Sequence, residues 1–161
     1  MLVKRYLVPS EYSPAESWRL VEWCKSVGAD QFTIDCLSTD PHAAEMLWEE
    51  FEEAAGPLAA GKATRERMSG RTADDLNRAT ELWTLNSSSI ETLKELLPEG
   101  IFQYEPWGGA WFEDPILYRN GELMLGVLSH EAFAVLRVTE GESVQLATEG
   151  FVSHDSLPRI S

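Results

Sequence analysis

Trp111 to Leu128 reads WFEDPILYRNGELMLGVL, and this stretch decides the fold class. Asn120-Gly121 at its centre is the strongest short-range signal for a two-residue β-hairpin, because both central positions of a type I′ turn need positive φ. Residues 111–119 therefore read as one strand and residues 122–128 as its partner. Ser129-His130-Glu131 marks a second turn and residues 133–138 a third strand. Glu140-Gly141 reads as another turn, before a short edge strand at residues 144–147. An antiparallel meander is expected over the second half of the chain.

Upstream of Gly100 the period is mostly helical. Residues 2–8 are a short β-prone run. Ser13-Pro14-Ala15-Glu16 then matches a capping box with proline at the first helical position. The helix it opens carries Trp18, Leu20, Val21, Trp23, Cys24 and Val27 and stops at Gly28. Residues 31–37 alternate Phe32, Ile34 and Cys36 against polar neighbours, the period of a strand. Asp40-Pro41 caps a second helix, ended by Gly56-Pro57. This β-α-β-α opening suggests a parallel strand pair joined by a right-handed crossover. Residues 56–71 read as a loop, residues 72–85 as a third helix, and Ser89 as the cap of a fourth running to Leu97. The expectation is one α+β domain over residues 1–161, with helices packed on one face of the meander and a loosely held tail from Phe151 to Ser161.

Composition narrows the function classes. The 161 residues carry 13 Lys and Arg against 27 Asp and Glu, a net charge of −14. Phosphate binding relies on clustered cations, so nucleic acid and anionic membrane are not expected as partners. A basic protein is, because opposite charge accelerates association. No apolar run approaches the ~20 residues that a membrane span needs. Cys24 and Cys36 sit among apolar neighbours and read as small buried hydrophobes. A cytoplasmic protein without a cofactor is the resulting expectation, and a homodimer is compatible with it.

The second helix holds the leading candidate site. Ala44, Leu47, Trp48, Phe51, Ala54 and Ala55 recur at helical spacing, and Glu45, Glu49, Glu52 and Glu53 fall on the other side. No Lys or Arg occurs between Lys25 and Lys62. Like charges four residues apart oppose helix formation by about 0.2–0.5 kcal/mol per pair. A chain that keeps them is consistent with a face reserved for a basic partner, and equally with an ordinary solvated face. Lys62, Arg65, Arg67 and Arg71 form the one locally basic segment, and their folding back would neutralise that face.

A second candidate is the aromatic, acidic stretch around Pro106-Trp107-Gly108-Gly109. Tyr104, Trp107, Trp111, Glu113 and Asp114 would line a pocket there, or the rings would serve the core. His130, Glu131, His154 and Asp155, from two Ser-His-acid triplets, are candidate metal ligands or acid–base groups if the fold brings the triplets together. Two near-motifs fail. Gly56 to Thr64 resembles a phosphate loop, but Ala63 stands where the magnesium-binding hydroxyl belongs, and His130-Glu131 lacks the second histidine of a zinc-protease helix, with Ala134 in its place. The leading expectation is a non-enzymatic, acidic interaction protein of inhibitor or antitoxin type. The alternative is a small enzyme or ligand-binding domain at residues 104–114 with His130 and His154.

Overall fold

A computed structural model describes residues 1–38, 40–55, 59–62, 81–103 and 110–157. Its strands are β1 (Leu2–Leu7), β2 (Gln31–Ser38), β3 (Ala59–Lys62), β4 (Glu81–Thr84), β5 (Ala110–Arg119), β6 (Glu122–Leu128) and β7 (Phe133–Thr139). Its helices are α1 (Pro14–Ser26), α2 (Pro41–Ala55), α3 (Ser87–Leu96) and α4 (Glu140–Thr148). The strands form one sheet in the order β1-β7-β6-β5-β2-β4-β3, and the helices supply the main core against one of its faces. The α+β class read from the sequence holds.

The hairpin forms as its turn chemistry requires. Arg119 pairs with Glu122, and Asn120 and Gly121 have φ of 52° and 75°. The capping box of α1 is complete: Ser13 Oγ accepts from Glu16 N–H at 3.1 Å, and Glu16 Oε1 accepts from Ser13 N–H at 3.3 Å. Its buried face, Trp18, Leu20, Val21, Trp23 and Cys24, belongs to the same hydrophobic core as the β-strand residues Phe32, Ile34, Leu117 and Leu125.

Five expectations are corrected. First, β1 and β2 are not a parallel pair. They run the same way, but β7, β6 and β5 lie between them and every pairing is antiparallel. A parallel strand is normally buried on both faces, whereas Leu2 and Lys4 of β1 are exposed, which suits an edge. Second, residues 140–148 are helical. Thr139 Oγ1 accepts from Glu142 N–H and Glu142 Oε1 accepts from Thr139 N–H, a capping box that overrides the turn tendency of Glu140-Gly141, and Leu146 is fully buried.

Third, residues 81–84 are strand rather than helix. Trp83 pairs with Phe32 of β2 and with Ala59 of β3. Residues 72–80 of the expected helix lie outside the described residues. Fourth, residues 59–62 of the expected loop are a strand; the phosphate-loop resemblance begins after α2 rather than after a strand, as its place in the sequence already indicates. Fifth, residues 151–155 are not loosely held. Phe151 is buried, and Tyr6 and His154 exchange backbone hydrogen bonds at 2.8 Å. A smaller adjustment concerns α3, whose cap is Asn86: its Oδ1 accepts from Ser89 N–H at 3.0 Å.

Candidate functional site

The orientation of α2 follows from its buried stripe. Ala44, Trp48 and Phe51 are at most 3% exposed. Trp48 packs edge-on against Phe112 with centroids 4.9 Å apart, and Phe51 against Trp83 at 4.6 Å. Aromatic pairs in such geometry add about 0.5–1.5 kcal/mol beyond simple burial. The helix start is fixed by Asp40, whose Oδ1 accepts from His42 N–H at 3.0 Å. With rotation set by these rings, Glu45, Glu49 and Glu50 face solvent, and so does Met46, 52% exposed.

Glu45 and Glu49 stand one helical turn apart, as their spacing predicts. Among the described residues neither takes part in an ion pair; those pairs join Arg5 to Asp155, Lys25 to Glu22, Lys94 to Glu91, Arg119 to Glu142 and His154 to Glu11. Glu52 and Glu53 lie on α2, but their side chains fall outside the described residues, as do Arg65, Arg67 and Arg71. Met46 and Glu50 escaped the sequence reading. Their position on the same outward arc, at offsets of one and five from Glu45, was the available signal.

A second group of carboxylates is buried on the other side of the sheet. Asp35 of β2 pairs with Glu113 of β5, and the two are 6% and 2% exposed. Glu113 Oε2 accepts from the Trp111 indole N–H at 3.3 Å. Beside them the β2–β5 register shifts, so that Asp114 and Pro115 together oppose Ile34. Asp114 occupies the left-handed region with φ of 54°, and its Oδ1 accepts from Ser129 N–H at 2.8 Å. That bond satisfies the first amide of the 3-10 turn between β6 and β7, a structural task for a buried carboxylate. Asp35 was not identified as a site residue, since alternation alone assigned it to a solvated face. Tyr104 and Trp107 lie outside the described residues, so of the aromatic loop only Trp111, Glu113 and Asp114 are placed.

The two Ser-His-acid triplets are not joined by any described contact. His154 Nε2 is 2.6 Å from Glu11 Oε1, and Asp155 pairs with Arg5. Glu131 is exposed in the turn before β7, and the side chain of His130 is outside the described residues. His154 lies beyond the outer edge of β1, four strand spacings from β5, on the order of 15–20 Å from Glu113. Among the described residues no group of three or more His, Cys, Asp or Glu is placed to hold a metal ion, and no described helix is long and apolar enough to cross a membrane.

Comparison with known protein families, with curated proteins and with solved structures finds no match.

Proposed function

We propose that this chain is an acidic protein-interaction module that engages a basic protein through the outer face of α2. The observation that carries the reading is the solvent exposure of Glu45 and Glu49 on a helix whose rotation is locked by Trp48 and Phe51. Glu50 extends the charged surface, and Met46 gives it an apolar centre. Carboxylates on a rigid helix complement the cationic surface of a nucleic-acid enzyme, since they can occupy positions built for phosphates. An inhibitor or antitoxin-like role is the specific form of the proposal. Electrostatic capture of this kind is fast and strongly dependent on salt.

Charge reversal tests it. Glu45→Lys, Glu49→Lys and Glu53→Lys are combined, and capture from native lysate at low salt is compared with the parent, followed by a salt wash. A partner retained by the parent, released by salt and missed by the triple variant supports the reading. Equal capture by both proteins removes it.

A second reading, a small enzyme or ligand-binding domain, is favoured by one observation: Asp35 and Glu113 are buried side by side across β2 and β5. Such a pair is a candidate for binding a cationic group or for acid–base work. A thermal-shift screen with divalent metals and metabolites separates the readings, because a ligand at a hundredfold excess over its Kd stabilises by ~2.7 kcal/mol. No shift across the screen favours the interaction module.

A further inference from the structure

Among the described residues two asparagines precede a small residue, Asn86 before Ser87 and Asn120 before Gly121. An asparagine loses ammonia through a five-membered imide when the next backbone nitrogen reaches its side-chain carbonyl carbon. Glycine leaves that nitrogen most accessible, because it has no Cβ.

The fold treats the two sites differently. Asn86 Oδ1 accepts from Ser89 N–H at 3.0 Å, and Asn86 N–H donates to Ser89 Oγ at 2.9 Å. These bonds commit its carboxamide to capping α3. Asn120 is exposed at the tip of the β5–β6 hairpin, and among the described residues nothing bonds its carboxamide or the Gly121 N–H.

With φ of 52° and 75°, Asn120 and Gly121 form a type I′ turn. Two-residue hairpins accept I′ or II′ turns, which differ by rotation of the peptide plane between the central residues. That rotation carries Asn120 ψ to about −120° and Gly121 φ to about −80° and leaves Arg119 opposite Glu122. Gly121 tolerates either sign of φ. Closing the imide ring fixes ψ at the same value, since the ring eclipses Asn120 Cβ with the Gly121 nitrogen.

We propose that Asn120-Gly121 is a spontaneous modification site, where the flipped turn closes the imide within the folded protein. The Gly121 nitrogen bonds Asn120 Cγ, the Cγ–Nδ2 bond breaks, and ammonia leaves with the proton that Gly121 gives up. Water then opens the ring. Attack at Cγ gives aspartate; attack at the main-chain carbonyl carbon gives isoaspartate, whose backbone is one atom longer. A two-residue turn lengthened in this way cannot hold Arg119 opposite Glu122. Arg119 donates to the Glu142 carboxylate and the Val27 carbonyl, so the isoaspartyl product loosens the junction of α1, β5 and α4.

The test follows full-length protein incubated at pH 8, with peptide mapping of Asn120 and Asn86. A II′ turn prefers glycine at its first central position, so the flipped form is minor. The folded protein should therefore react roughly 10–100-fold more slowly than the chain in concentrated urea. A turn flip exposes no core, so the rate should stay flat as urea rises below the unfolding transition. Rates that climb with mild urea, or fall about a thousandfold short of the unfolded chain, point to global unfolding and overturn the proposal. Loss of the Asn86 amide ahead of Asn120 overturns it too. Asn120→Gly keeps the turn and removes the reacting amide; an equal acidic fraction from this variant sinks the assignment. Ion exchange separates the aged products, which are more acidic than the parent. Isoaspartyl protein should show a folded-to-unfolded ratio roughly tenfold below that of fresh parent. Fresh Asn120→Asp should match the parent, because Asp-Gly suits the same turn. Equal stability of the isoaspartyl form overturns the coupling to Arg119.

Discussion

Arg119 and Glu142 form a two-pronged ion pair, Nη1 to Oε2 at 2.8 Å and Nη2 to Oε1 at 3.2 Å. Both side chains are more than four-fifths buried. Arg119 Nη1 also donates to the Val27 carbonyl at 3.1 Å, and Glu142 Oε1 accepts from Thr139 N–H at 2.8 Å. One guanidinium thus joins the end of α1, the hairpin end of β5 and the first turn of α4. Three elements that are remote in sequence meet at this pair.

The Arg119 hydrogen bonds hold the Glu142 carboxyl below its ordinary range; burial opposes them and the Thr139 amide assists. A depressed folded pKa stabilises above the unfolded value of about 4.3, and that stabilisation is lost as pH falls through the folded value. Glu142→Gln should cost about 1–3 kcal/mol near neutral pH. Urea unfolding at a series of pH values checks the sign: the gap between parent and variant should be constant above about pH 5 and should shrink as pH falls from about 4.3 through the folded value.

Gly100 has φ of +97°, and a Cβ there would lie 2.6 Å from Ser17 Oγ. That hydroxyl has little freedom, since it donates to the Pro14 carbonyl at 2.7 Å and accepts from Ile101 N–H at 3.2 Å. Gly100→Ala combines backbone strain with overpacking and should destabilise by about 2–4 kcal/mol. An unchanged urea midpoint would contradict this.

Trp48 is the ring through which α2 grips β5. Trp48→Ala should destabilise by about 3–5 kcal/mol through the cavity left between Phe51 and Phe112. The outward residues behave oppositely. Glu49→Gln relieves like-charge repulsion with Glu45 and should stabilise by ~0.2–0.5 kcal/mol, a gain that added salt diminishes. Thermal melts at two ionic strengths measure both effects. Loss of stability in Glu49→Gln would show that this carboxylate has a structural duty.

Burial pushes the Cys24 thiol up to about 12, and Cys36 is 3% exposed. The thiolate is the reactive form, so neither thiol should react with a disulfide reagent in native protein at pH 8. Both should react on denaturation. Rapid native labelling of either would mean that the core around α1 or β2 opens readily.

Legibility in the sequence tracked the range of the interactions. The capping box of Ser13 and Glu16 and the Asn120-Gly121 turn operate within four residues, and both were read correctly. The capping box of Thr139 and Glu142 was equally local, but Glu140-Gly141 offered a competing turn, and only the burial of Leu146 against the core resolves the contest. Leu82 and Trp83 fitted a helical stripe with Leu76 and Ala79, yet pairing of Trp83 with Phe32 makes residues 81–84 a strand. For the candidate site, the outward facing of Glu45 and Glu49 was legible from helical period. The burial of Asp35 was not, because alternation cannot tell a covered second face from a solvated one.

The amino-acid order alone determined where most helices and hairpins form and which side of α2 carries charge, since capping, turn chemistry and apolar period act over a few residues. Tertiary structure decided that β5, β6 and β7 lie between β1 and β2, that residues 151–155 sit on an edge, and that Arg119 reaches Glu142. Those outcomes depend on which distant surfaces bury each other and satisfy one another's hydrogen bonds, a competition among whole elements that no local pattern encodes.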